Sequence, residues 1–286
     1  MEIIRIPRIM HDTSRGYLLR GKTIGFVPTM GALHGGHISL VKRAKQENDI
    51  TVVSIFVNPI QFGPSEDFKK YPRDFEGDTE KLLKEGTDIL FLPVVSLMYN
   101  EGFSTYVEVE KISEKLCGAF RPGHFRGVAT VVTKLLNIVK PTRAYFGQKD
   151  FQQSIVIKQL VKDLDMDTDI VTCPIVREQD GLAMSSRNTY LNEMQRKAAT
   201  VIYKSLTEAS DLIKSGIMDG FYIKGFLRDR LLEEPLISGI DYAGVYDTAT
   251  LDELTEIKSE ALLAAAVRIG DTRLIDNILV IVTKGR

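Results

Sequence analysis

The sequence predicts an α/β protein built on a doubly wound parallel sheet and followed by a smaller C-terminal α+β domain. Three observations carry that expectation. Apolar runs such as residues 49–58 (DITVVSIFVN) are nearly continuous, as in strands covered on both faces. Strand and helix patterns alternate through the first two-thirds of the chain. The pattern then changes near Thr189, and a chain of 286 residues suits two unequal domains, placed at 1–188 and 189–286.

Taken in order, residues 22–29 (KTIGFVPT) read as a buried strand and 38–48 as a helix with Leu40, Val41 and Ala44 on one face. The strand 49–58 follows, then a helix over 75–84 and a strand over 88–92 closed by Pro93. A short alternating strand is expected at 106–110, a strong helix at 127–139 ended before Pro141, and a strand at 144–147. A helix over 151–164 leads to a strand over 169–176. Beyond the boundary, one long amphipathic helix is expected over 193–215, with Ala198, Val201, Ile202, Ser205, Ala209 and Leu212 at helical spacing. A helix over 222–233 and strands at 242–246 and 273–282 complete the second domain.

With 37 Lys+Arg against 38 Asp+Glu and 44% apolar residues, the composition is that of an ordinary globular chain. Its net charge of -1 lacks the bulk electrostatic footprint of a nucleic-acid binder, so nucleic acid is not the expected partner. Charged residues interrupt the first twenty positions, and no stretch has the apolar length of a membrane span, so neither a signal peptide nor a membrane is expected. Cys117 and Cys173 lie far apart, outside any CxxC pair. A zinc or disulfide framework is not indicated, and a cytoplasmic location fits.

The most informative stretch is PTMGALHGGH at residues 28–37, at the end of the first strand and the start of the next helix. Open α/β sheets bind ligands in the crevice beyond their strand ends, and a helix start offers N–H groups and a positive dipole end to phosphate. His34 and His37, three apart, can donate hydrogen bonds to phosphate oxygens there. An isolated HxxH is more often a turn with surface histidines; its strand-loop-helix setting favours the phosphate reading. Zinc is less suited, since a third ligand and the Glu of HExxH are absent, and a dinucleotide reading is less suited too, since GxGxxG is absent.

NPIQFG at residues 58–63 opens at the same sheet edge, where Asn58 and Gln61 suit a ligand with hydroxyls and a carboxylate, or simply form a turn. GQKD at 147–150 ends another strand, with Lys149 a cation for phosphate and Asp150 an acceptor for ribose hydroxyls; a solvated Lys-Asp turn is the bland alternative. GLAMSSRN at 181–188 offers two hydroxyls and an Arg fork as a clamp on polyphosphate. Its Met and Arg speak against a plain linker. RPGHFRG at 121–127 reads either as an anion site or, more simply, as a loop entering a helix, and Asp78 is a helical carboxylate able to hold Mg²⁺ through water.

PTMGALHxGH, VNPxQFG, YPR, RPGHFRGV, FGQKDxQQ, GLAMSSRN and the late RLIDN at residues 273–277 occur together and in this order. The set resembles the pantothenate synthetases, or pantoate:beta-alanine ligases, of the HIGH-motif nucleotidyl transferase superfamily, from Lys22 to about Asn277. The resemblance implies a Rossmann-like ATP- and pantoate-binding domain, a C-terminal lid and a homodimer. It implies an ATP- and Mg²⁺-dependent condensation of (R)-pantoate with β-alanine through a pantoyl adenylate, giving pantothenate for coenzyme A biosynthesis, with AMP and pyrophosphate. By the same resemblance, His37, His34 and Lys149 are catalytic. ATP is held by Met30, Gly31, Ala32, Leu33, His34, Gly35, Gly36 and His37, by Gly147, Gln148, Lys149 and Asp150, by Val176, and by Met184, Ser185, Ser186 and Arg187. Gln61 and Gln153 hold pantoate, and Gln61 also serves β-alanine. Ala183 stands where the wider superfamily's KMSKS loop has lysine, which favours the ligase over a tRNA synthetase. Residues 241–250 (DYAGVYDTAT) depart from the family's usual YxxxVDPxTL. The alternative is a nucleotidyltransferase that adenylylates a phosphate-bearing substrate.

Overall fold

The computed structural model describes residues 1–64 and 66–282. Its chain divides into two compact units, one of Met1–Ser113, Arg121–Gln148 and Gln153–Pro174, the other of Glu114–Phe120, Lys149–Gln152 and residues 175 onward.

The first unit holds six parallel strands: β1 (Glu2–Ile4), β2 (Ile24–Thr29), β3 (Ile50–Ile55), β4 (Ile89–Phe91), β5 (Arg143–Gly147) and β6 (Asp169–Cys173), in the order β1-β4-β3-β2-β5-β6. Helices α1 (Pro7–Leu18), α2 (Gly35–Glu47), α3 (Phe75–Lys84), the short α4 (Val95–Met98) and, after the short α5 (Cys117–Phe120) of the second unit, α6 (His124–Val139) and α7 (Phe151–Asp163) connect them. The β-branched core of β3 is buried on both faces, as its unbroken apolar pattern demands. Val27, Leu40, Val41, Ala44, Val53, Leu82 and Leu90 form one cluster between the sheet and α2 and α3. α1 and α6 pack on each other and on β2.

Chain order reverses between β2 and β5, and a proline opens the sheet there. Ile24 exchanges hydrogen bonds with Thr142 beside β5, while Thr29 accepts from Phe56 beyond β3. Alternate residues Ile24, Phe26 and Pro28 therefore turn their backbone toward β5. Pro28 has no N–H to give, and β2–β5 pairing stops at Phe26↔Ala144 while β2–β3 pairing runs on to Thr29↔Ile55. The two strands part at the crevice where such sheets take ligands.

The second unit is built on the antiparallel sheet β7 (Ile237–Tyr246), β8 (Glu260–Ile269) and β9 (Thr272–Ile281), in that order. Helices α8 (Glu193–Ala198), α9 (Val201–Lys214) and α10 (Gly220–Leu232) complete it, and Leu206, Ile213, Leu227, Val245, Leu263 and Val267 share its core.

Three sequence-based expectations are corrected. The single helix over 193–215 is two, because Thr200 and Ile202 bond to the third residue back, to Lys197 and Ala199, and the tightened turn separates α8 from α9. β8 was not anticipated: its EALLAAAVRI reads as helix by propensity, and only burial on both sides between β7 and β9 makes it a strand. Residues 106–110 form no strand, joining no sheet among the described residues.

Candidate active site

The loop from Met30 to Leu33 is shaped by two residues in left-handed conformation, Gly31 at φ 83° and Ala32 at φ 50°. A Cβ at Gly31 would meet Asp78 Oδ2 and Ile55 Cγ2 at 3.1 Å, so glycine is required on two grounds. Ala32 bears a steric cost of about 1–2 kcal/mol. Asp78 offsets it: from α3, its carboxylate accepts the N–H of Ala32 at 2.8 Å and of Leu33 at 2.7 Å. One turn further along α3, Lys81 Nζ donates to Leu33 O at 2.9 Å. Asp78 is only 1% exposed, and burial raises its pKa against the pull of those N–H groups and Lys81.

The loop delivers two histidines to the start of α2. His34 is the N-cap: its Nδ1 accepts from Gly36 N–H at 3.1 Å, and His37 Nδ1 accepts from His34 N–H at 3.4 Å. A neutral imidazole that accepts at Nδ1 carries its proton at Nε2, so the cap gives both rings an Nε2–H donor. Their centroids lie 4.1 Å apart.

Gln61, beyond β3, is held at both ends. Asn58 Nδ2 donates to Gln61 Oε1 at 3.0 Å and to Gly127 O at 3.1 Å, and Tyr99 OH donates to Asn58 Oδ1 at 2.8 Å. With its oxygen occupied, Gln61 turns its NH₂ toward the loop, where Nε2 lies 3.2 Å from Met30 Sδ. Sulfur is a weak acceptor that a substrate oxygen would outcompete. The backbone is fixed as well. Arg121 is bidentate to Glu66 at 2.7 and 2.6 Å and donates to His124 Nε2 at 3.0 Å, which leaves His124 Nδ1–H to donate to Gln61 O at 2.8 Å. The RPGHFRG segment thus braces Gln61, and a Cβ on its Gly127 would strike Ile60 O at 2.4 Å.

Gly147 ends β5, Gln148 follows it in a 3₁₀ turn, and Gln153 lies in the first turn of α7, part-buried. All belong to the first unit with Met30–His37, Gln61 and Asp78.

The second unit carries Lys149, Asp150, Val176 and Met184–Arg187. Val176 O accepts Met184 N–H at 3.0 Å, and Arg177 bridges to Ala183, so residues 176–184 form a small hairpin. Ser185 caps the 3₁₀ turn Ser186–Tyr190 by accepting from Arg187 N–H at 3.3 Å. These loops are anchored by the RLIDN strand β9. Asp276, 3% exposed, takes Arg177 in a fork at 2.6 and 3.0 Å, Asn277 Nδ2 donates to Lys149 O at 3.1 Å, and Arg273 pairs with Asp241 at 2.6 Å. Burial raises the Asp276 pKa even against Arg177. Sequence reasoning singled out both loop sets but not Tyr99, Glu66 and Arg177, whose partners lie 41, 55 and 99 residues away.

Comparison with known proteins agrees in all three forms. The family model described as pantoate-beta-alanine ligase matches residues 2–279. The pantothenate synthetase of Thermodesulfovibrio yellowstonii is 61% identical over 280 residues, covering 98% of this chain and all of that one. The crystal structure of pantothenate synthetase from Thermus thermophilus superposes with a TM-score of 0.92 at 42% identity, covering 97% of this chain and 99% of that one. That of pantoate-beta-alanine ligase from Francisella tularensis, described as complexed with beta-gamma ATP and beta-alanine, gives 0.78 at 38% identity, covering 98% and 97%.

Proposed function

This chain belongs to the pantoate-beta-alanine ligase family, and on that premise we propose the route by which it condenses pantoate with β-alanine at the expense of ATP. The pantoate carboxylate attacks the α-phosphorus of ATP, forming pantoyl adenylate as the bond to pyrophosphate breaks. The β-alanine amine then attacks the acyl carbon, loses a proton and expels AMP, leaving the amide. Activation is needed because a carboxylate is a poor acylating agent.

The observation that carries this reading is the approach of Gln61 Nε2 to Met30 Sδ at 3.2 Å. It puts an amide donor for an acyl substrate beside the loop that presents two imidazole donors. His37 and His34 would stabilise charge building on the phosphate, the work a loose, charge-spread phosphoryl transition state requires. Met30–His37, Gly147–Asp150, Val176 and Met184–Arg187 would hold ATP, with Lys149 and Arg187 on its phosphates. Gln61 and Gln153 would hold pantoate, and Gln61 would also serve β-alanine.

Mg²⁺ accompanies ATP in this reading. No group of three or more His, Cys, Asp and Glu able to hold a metal occurs among the described residues, which suits an ion carried by phosphate oxygens and water. Asp78, with both oxygens accepting N–H groups, would reach it only through water. We also assign residues 1–188 to ATP and pantoate binding and 189–286 to a lid, in a cytoplasmic homodimer; no described helix is long and apolar enough to cross a membrane.

The test is product analysis by mass spectrometry with ATP, pantoate and a panel of small amines. Pantothenate, AMP and pyrophosphate are expected with β-alanine, and pantoyl adenylate without it. AMP release that β-alanine does not promote would sink the ligase assignment in favour of transfer of AMP to a phosphate-bearing acceptor.

A further inference from the structure

The antiparallel sheet of the second unit grips a loop from each of its faces, and it does so with two consecutive residues of β9. Asp276 lies opposite Ala265 of β8 and Asn277 opposite Ala264, so the two side chains project to opposite sides. Ala265 belongs to the core beneath the helices. On that side Asp276 takes the Arg177 fork, and the Arg177 guanidinium lies 3.8 Å from the Tyr203 ring centroid of α9. On the other side Asn277 Nδ2 donates to Lys149 O at 3.1 Å. Asp276 and Asn277 are each 3% exposed, so bulk water does not compete for either contact.

Asn277 is itself held in place. Its N–H donates to Asp276 Oδ1 at 2.7 Å, and its carbonyl accepts from Arg177 Nη2 at 3.4 Å. Arg177 Nη1 donates in turn to Gly181 O at 3.0 Å, inside the hairpin at 176–184. The far end of the Lys149 segment is fixed as well, since buried Gln152 accepts Cys117 N–H at 2.9 Å and donates to Lys115 O at 2.7 Å. Lysine carries its charge on a flexible four-carbon stem, so a fold can aim it only by fixing the backbone at its root. A donor on Lys149 O sets the peptide plane that follows the residue. The Lys149 ammonium also helps draw Asp276 toward the anion against the effect of burial.

We propose that Asn277 is a positioning residue for Lys149, acting on the phosphate through the lysine backbone and not by touching substrate. Because Asp276 and Asn277 are consecutive, one strand sets the hairpin and the lysine together. The inference rests on the reading of Lys149 as a cation for phosphate and supplies what aims it.

A double-mutant cycle in the full-length enzyme tests it. Lys149→Ala should lower kcat about 10²-fold to 10³-fold, and Asn277→Ala about tenfold with KM for β-alanine unmoved. Added to Lys149→Ala, the Asn277→Ala change should cost less than about twofold more, because no ammonium is left to aim. A further tenfold loss in the double variant overturns the proposal and makes Asn277 a structural contact, while Lys149 keeps its role. Unchanged kcat in Asn277→Ala alone overturns it too. Thermal melting by circular dichroism checks folding; should Asn277→Ala unfold, Asn277→Ser carries the same cycle, its hydroxyl being too short to reach Lys149 O. Full kcat in Lys149→Ala would overturn the reading of Lys149 and this inference with it.

Discussion

The loop after β2 and the hairpin at 176–184 are both proposed to hold ATP, yet they are held in opposite ways. The first is fixed by near neighbours acting on backbone: Asp78 and Lys81, one helical turn apart, grip the peptide groups of Ala32 and Leu33. The second is fixed by ion pairs, a buried one of Arg177 with Asp276 and a more exposed fork of Arg196 on Asp180. The β2 loop is a problem of conformation, two left-handed residues in succession, and its support supplies hydrogen bonds at set points. The hairpin is a problem of charge, and its support is a counter-ion that is itself nearly inaccessible to water. Burial raises the pKa of both Asp78 and Asp276, so each depends on its donors to remain an anion.

Variants that separate charge from conformation test this contrast. Asp276→Ala strands Arg177 and should lower the stability of the second unit by about 3–5 kcal/mol, read by urea unfolding, with ATP binding weakened in parallel. His37→Ala should lower kcat about 10²-fold to 10³-fold in an AMP-release assay while leaving ATP affinity less changed. An equal loss in both would reassign His37 to binding. Asp78→Ala leaves two loop N–H groups without their acceptor and should cost about 1–3 kcal/mol, seen as a raised KM for ATP. Adding Ala32→Gly should recover roughly 1 kcal/mol, because glycine adopts positive φ without strain; no recovery would mean that the carboxylate's charge, and not the loop's shape, is what matters. Tyr99→Phe frees the Asn58 amide and should raise KM for pantoate about fivefold with KM for ATP unmoved. The smallest effect concerns a carboxylate of neither region. The Thr23 N–H, Lys22 and the Thr23 hydroxyl hold exposed Asp49 down to about 2. Its contribution to stability is present above its ordinary value of 3.8 and lost as pH falls through about 2, which an NMR titration would follow.

What was legible in the sequence was what is local. The helix over 75–84 has its boundaries marked by an Asp74 cap and a polar end, and α3 spans Phe75–Lys84 as expected. The loops after β2, β3 and β5 stood out because strand, turn and helix patterns follow one another there. α1 did not, since PRIMHDTSRGYL mixes glycine and short polar residues, and it is packing against α6 that fixes it. β8 was hidden by alanines. In the candidate site, His34, His37 and Gln61 were visible from their motifs, but what orients them was not. Tyr99 carries no motif, and Asp78 was read as a helical carboxylate able to hold Mg²⁺ through water because nothing in its neighbourhood announces the loop N–H groups it meets. A single sequence shows spacing along a chain; these supports act across it.

The β8–β9 connection has a consequence in time. Ile269 pairs with Thr272 across a two-residue turn whose first member, Gly270, has φ 56°, so this hairpin can close within about 1–10 μs of being made. Arg177 leaves the ribosome 99 residues ahead of Asp276. At about 5–20 residues per second, its guanidinium spends roughly 5–20 s without a counter-ion. During synthesis the Arg177 anchor of the hairpin at 176–184 therefore waits on translation rather than on folding, and a chain stalled before residue 276 would hold that loop by its nearer contacts, the Arg196 fork on Asp180 among them.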